Sequence, residues 1–371
     1  MSWAGFGCGI VLLLATATSV MKTLLIPRST RSRVTGMVAH AVLSCFRLIT
    51  GPITDLASRE RILAAGCPAF LMSLLGCWLV SLLAGYALVL WPVVRSFPQA
   101  LREAGSALLT LGFAAPAGAA PAGIVFAAAA SGLIVVALQI AYLPVLYAAY
   151  NRRETLVTML EALAGAPAWG PELLARQALI GNVSYLPRLY ERWTEWAADI
   201  SESHVNYRTL AHFRSPDPVD SWLLALLGVL DAAALHHSLC PRSVPSEVRP
   251  LLRVGFLTTQ RLAASLQLDF PADPSPDDPI RLTRAEFDEG VAWLRAAGFQ
   301  TERSADEAWP QFRGWRVNYE AACQAMTYYL DLPPALWSGP RRPGRPDPEP
   351  PRRPKDRQPA ASFPAAGTGG A

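Results

Sequence analysis

Charged residues vanish from three stretches of the chain. No Asp, Glu, Lys or Arg occurs in residues 2–21, 62–94 or 104–151. A helix on a soluble protein needs a polar face, whereas a bilayer span needs about 20 consecutive apolar residues. The pattern therefore predicts membrane helices. The first stretch, from Trp3, lacks the basic start of a signal peptide; Lys22 and Arg28 follow it instead, which favours an uncleaved span with its N-terminus outside. The second predicts one span from about Cys67 to Trp91, followed by Pro92. As one helix the third would run about 72 Å, more than twice the roughly 30 Å hydrocarbon core. It must be interrupted, and the interruption is legible as GFAAPAGAAPAG over residues 112–123. Ile124 to Tyr147 then forms a third span. The piece before the break, Ser96 to Thr110, is too short to cross and long enough to dip in and return.

The remaining pattern is helical. Val34, Val38, Val42, Cys45, Phe46 and Ile49 recur at steps of three and four, an amphipathic helix suited either to the inner leaflet or to packing on the C-terminal half. Beyond Arg153, helices are predicted over Glu154–Leu163, Gly170–Ile180, Pro187–Ser201, Trp222–His237, Val248–Leu266, Thr283–Ala297 and Arg316–Leu330. Ser221–Leu230 is apolar but reaches Asp231 after 10 residues, too soon to span. No segment reads as a sheet.

Charge sets the orientation. The loop between spans one and two carries Lys22, Arg28, Arg31, Arg33, Arg47, Arg59 and Arg61, and Arg152 with Arg153 follow span three; between spans two and three stand only Arg95 and Arg102. Basic loops stay inside. The chain is thus expected to be a multi-pass protein of a cell inner membrane, N-terminus outside, C-terminal half cytosolic, with the short segment entering from outside. Residues 1–150 hold 9 basic and 3 acidic side chains, residues 151–337 hold 17 and 23, and residues 338–371 hold 7 and 3. A mildly acidic middle block argues against nucleic acid as a partner.

Composition narrows the class further. Only 17% of residues are charged, where soluble domains have about 25%, so a purely soluble enzyme is excluded, as are disordered and collagen-like chains. The six cysteines show no CxxC and read as free thiols. Glu195, Asp199 and Glu202 share one helix face, a possible cation site or, more simply, a solvated stripe. His236 and Cys240 have the spacing of a metal pair, but Pro241 ends the helix and no second pair exists, so a surface histidine is expected. Trp193, Trp196 and Trp222 read as core. Walker, zincin and nucleophile-elbow patterns are absent, and no cofactor is expected.

Ser96 opens an S-x-x-Q capping box with Gln99, and Pro98 stands in the first turn, predicting a helix from about Pro98 to Leu109 whose partially negative end points into the membrane. Thr110-Leu111-Gly112-Phe113-Ala114 follows directly. A span, a short helix, this pentapeptide and a second span resemble the pore module of the tetrameric potassium channels, with TLGFA against the filter motif TVGYG. The resemblance covers about residues 62–150. It implies a potassium-like monovalent cation as the permeant partner, contact with membrane lipid, a homotetramer, and Thr110 to Ala114 as the selectivity filter. Ala114 departs from the motif's glycine; were its φ positive, alanine would cost on the order of 1 kcal/mol per subunit. Pro144, near the inner end of span three, is either a gating hinge or a tolerated kink.

The expected architecture is thus an all-α membrane protein: a first transmembrane helix over 1–26, a basic linker with the amphipathic helix over 27–61, a pore module over 62–150 with its re-entrant loop at 96–116, a helical cytosolic domain over 151–337, and a disordered proline-rich basic tail over 338–371. The expected activity is that of a cation channel or channel-like protein and not of an enzyme. The alternative is a non-conducting signalling or scaffold protein that keeps the same fold.

Overall fold

The computed structural model describes residues 2–26, 32–340 and 348–353. Every regular element among them is helical. Helix α1, Ser2–Val20, runs without a break into one π-helical turn, Met21–Leu25, so that Lys22 ends the first apolar run. Helix α2 is Arg33–Thr50, α3 Leu56–Ala64, α4 Gly66–Val94, α5 Phe97–Leu108 and α6 Ala119–Ala164. Helix α4 continues through Pro92, and α6 through Pro144. The helices predicted over Ile124–Tyr147 and Glu154–Leu163 are therefore one, because the polar step Asn151-Arg152-Arg153-Glu154 leaves the apolar zone without offering any helix stop.

Helices α1, α4 and α6 are each long and apolar enough to cross a membrane, as suits a membrane-embedded protein. They pack side by side: α4 lies against α1, α5 and α6, and α5 also against α6. Glycine brings α1 and α4 together, since a methyl on Gly9 would stand 2.8 Å from the carbonyl oxygen of Gly85. Trp78 Nε1 donates to Ser19 Oγ at 3.0 Å across the same seam. Tyr86 does the equivalent for α4 and α6, with its hydroxyl 2.6 Å from Ser131 Oγ.

The C-terminal half continues with α7, Gly170–Leu179; α8, Leu186–Asn206; α9, Trp222–Leu239; α10, Val248–Ser265; α11, Arg284–Ala296; and α12, Ala305–Tyr329. Helix α9 equals a short span in length and apolarity, but every residue of it except His237 is buried among α7, α8, α10, α12 and the end of α6. A helix that is apolar all round belongs inside a core. Asp231 on α9 confirms that setting by meeting Arg316 of α12 at 2.6 Å and Tyr319 Oη at 2.7 Å. Burial works against the charge of Arg316, and Asp231 and Glu320 more than offset it, so its pKa is raised. Trp193, Trp196 and Trp222 are buried in this core. His236, expected at the surface, is buried too, with Nδ1 3.1 Å from the Tyr190 hydroxyl.

The halves join at a polar seam. Arg153, fully buried one turn below the apolar part of α6, donates to the carbonyl oxygens of Leu210 (2.8 Å) and Phe213 (2.9 Å), meets Glu154 at 2.7 Å and lies 3.1 Å from His204 Nε2. Arg59 of α3 pairs with Asp331, and Arg214 with Glu60 at 3.3 Å. Of the stretch expected as a tail, residues 338–340 and 348–353 are placed and the rest lies outside the described residues. Arg353 forks onto Glu172 (2.8–3.2 Å), whose carboxylate also meets Arg176 and Trp293 Nε1. Pro351 sits on Gly165, where a β-carbon would approach to 2.2 Å.

Candidate pore-loop site

Helix α5 starts at Ser96 as predicted, but the capping box is not made: Ser96 accepts no side-chain cap bond, and Gln99 Nε2 donates to Glu103 Oε1 at 3.0 Å instead. Ala100, Ala104 and Leu108 turn inward between α4 and α6. The far end of α5 comes closest at Gly132, where a β-carbon would lie 2.1 Å from the Leu108 carbonyl oxygen. Only glycine lets the two backbones meet there.

The chain then reverses. The Thr110 N–H donates to Ala107 O at 2.9 Å and the Leu111 N–H to Ser106 O at 2.7 Å, the paired bonds of a Schellman ending. That motif wants a left-handed residue, commonly glycine, at the position held by Thr110, whose φ is +56°. A β-branched residue there is strained, by roughly 1–2 kcal/mol. Gly112 is left-handed as well, at φ +73°, and Ala114 is not, so the alanine in the fifth position carries no strain. Residues 111–116 have no regular structure and lead to Gly118, φ +107°, ahead of α6.

Ser106 organises this turn, and nothing in the sequence singles it out. Fully buried, its carbonyl accepts from Leu111 and, at 3.3 Å, from Gly112, while its hydroxyl accepts from the Ala114 N–H at 3.0 Å. Three of the five predicted residues, Leu111, Gly112 and Ala114, thus bond to one serine. Leu111 and Phe113 are 60% and 59% exposed, so the pentapeptide has no apolar cover from its own chain. Pro144 stands well away, deep in an unbroken α6.

Glu103 is the second residue that sequence reasoning passed over. It is 2% exposed, and its Oε2 has no hydrogen-bond partner. The signal was available: it is the single acidic residue between Glu60 and Glu154, and a lone carboxylate in so apolar a stretch stands out. The remaining candidates disperse. Asp199 pairs with Arg152 at 3.2 Å, Glu202 accepts from Asn206, and the Cys240 thiol donates to Gln300 O at 3.3 Å. Among the described residues no group of three or more His, Cys, Asp or Glu is placed to hold a metal ion. No protein-family model, curated protein or solved structure matches the chain.

Proposed function

We propose that the protein is one subunit of a homotetrameric cation channel, with α4, α5 and α6 as its pore module and Thr110 to Ala114 as the filter. In this reading α1, α4 and α6 cross a cell inner membrane, α5 is re-entrant from outside, and the C-terminal domain is cytosolic and regulatory. The observation that carries it is the meeting of Leu108 O with Gly132. Gly132 is eight residues beyond Ile124, about 12 Å along the helix axis, within a hydrocarbon layer about 30 Å thick. Helix α5 therefore ends near mid-membrane, and the ten residues after Leu108 climb back out. Non-helical backbone at that depth is tolerated only where protein or a water-filled cavity surrounds it. The exposed Leu111 and Phe113 supply the corollary: one copy leaves the segment uncovered, and several copies around an axis enclose it.

The chemistry follows from the backbone. Left-handed residues at Thr110 and Gly112 stand in a segment without regular structure, and such backbone is how successive carbonyls can be turned toward one path where they replace the water around a monovalent cation, potassium in the first instance. The test is potassium flux into vesicles carrying the purified full chain, alongside its mass in mild detergent. A tetramer that passes potassium, and a Gly112→Ala tetramer that does not, is the expected result. A methyl on Gly112 meets no atom of its own chain, so that variant should fold, with a penalty of about 1 kcal/mol from its φ. A folded tetramer that carries no monovalent cation under any voltage or pH would leave the scaffold reading in place of the channel.

A further inference from the structure

A cavity of about 150 Å³ opens where the foot of α1, the start of α2 and the end of α8 converge. A water molecule's share of liquid is about 30 Å³, so the space equals roughly five waters, enough for a phosphate group. Part of the lining is polar: Lys22 and Thr23 come from the π-helical turn, Ser32 and Thr35 from the start of α2, Asn206 from the end of α8 and Arg208 from the 3-10 turn that follows it. Short hydroxyl contacts brace this part, Ser19 Oγ to Ser32 Oγ at 2.7 Å and Thr23 Oγ1 to Thr35 Oγ1 at 2.8 Å. Among the described residues no Asp or Glu lines the cavity, although residues 151–337 are net acidic. The lining His212 is held neutral by burial, helped by Arg214 and Arg47. The lining also includes apolar side chains, among them Ile26, Leu43, Phe70 and Leu266.

We infer that this cavity is a binding site for the headgroup of an anionic phospholipid in the leaflet facing the C-terminal domain. Lys22 ends the charge-free run of α1, which sets the cavity at the level where a bilayer presents its phosphates. A dissolved phosphate gains nothing from apolar lining, whereas a lipid brings both a charged head and an apolar body to a cavity lined by both kinds of residue. Asn206 Oδ1, buried and without a hydrogen-bond partner, is an acceptor for a headgroup hydroxyl, which points to a glycerol head. The inference needs α1 to span the membrane and is independent of whether the protein conducts.

Native mass spectrometry of the full chain in mild detergent tests it, with dioleoyl phosphatidylglycerol, dioleoyl phosphatidylcholine and inorganic phosphate as separate probes. The parent should retain phosphatidylglycerol at about a fivefold lower concentration than phosphatidylcholine. Lys22→Gln and Arg208→Gln should each weaken that retention about fivefold, the share of one basic residue near an anionic surface, and leave phosphatidylcholine unchanged. Ala39→Leu, which fills the cavity without altering charge, should expel the lipid and keeps the test decisive if a charge variant misfolds; Arg95→Gln, at the other end of α4, should change nothing. Equal retention of the two lipids by the parent overturns the proposal. So does displacement of phosphatidylglycerol by millimolar inorganic phosphate, which would make the cavity a site for the free ion.

Discussion

Gly132 has no room for a side chain, and what blocks it is a backbone carbonyl that cannot swing aside. Gly132→Ala should therefore push α5 off α6 and destabilise the protein by about 1–3 kcal/mol, the usual cost of overpacking. Gly76 and Gly123, which have open space around them, are the matched controls: alanine there should be neutral or stabilise by up to about 1 kcal/mol through helix propensity. Thermal unfolding of the three variants in one detergent, followed by circular dichroism, reads the difference. Nothing in an alanine-rich run distinguishes Gly132 from Gly123, because the contact lies with a residue 24 positions away. Thr110 and Gly112 were legible from a motif, whereas Ser106, which shapes their turn, was not: one serine among small residues shows its use only once the chain has folded back on it.

At the scale of elements, hydropathy marked where the chain leaves the apolar zone and said little about where a helix stops. Helix α6 spans 46 residues, about 69 Å at 1.5 Å per residue, and runs through both Pro144 and the charged step that read as a boundary. Capping signals cut both ways. Ser304 and Glu307 form a full capping box, so α12 starts 11 residues before the predicted Arg316; the spacing was present in the sequence and unused. Ser96 and Gln99 have the same kind of spacing and form none, because Glu103 one turn on is the better partner for the amide. The element that joins the halves depends on Arg153. Arg153→Met would strand the Leu210 and Phe213 carbonyls and leave Glu154 without its cation, at a cost of about 3–5 kcal/mol for a broken buried pair. Its effect should appear as faster limited proteolysis of the C-terminal domain, and Arg153→Lys, which lacks the planar fork, should rescue only part.

For the whole molecule, the basic first block and the acidic middle block were legible as a charge division, and the pairs of Arg59 with Asp331 and Arg214 with Glu60 are where the two blocks meet. Which residues pair was not legible, since the partners lie more than 150 positions apart. The seam should be acid-sensitive. Burial, helped by Arg214 and Arg47, pushes His212 down to about 4, and burial beside Arg153 puts His204 well below its ordinary value. Both groups are neutral when folded and take up protons more readily when unfolded, so their contribution is complete above about pH 6.5 and is lost as pH falls toward 4. Asp220, raised to about 7 by burial and by Asp217, Glu161 and Glu154, works in the opposite sense, so the comparison must be between variants: the unfolding midpoint of His212→Gln should fall less than that of the parent between pH 7 and pH 4.5. Composition also draws a line after Trp337, beyond which the chain reads as dispensable. Arg353 and Pro351 lie past that line and reach back to Glu172 and to Gly165, the residue that ends α6. A gene shortened at the compositional edge would thus remove a clasp from the foot of the longest helix, and the harm would surface far from the cut, in the seating of α6 itself.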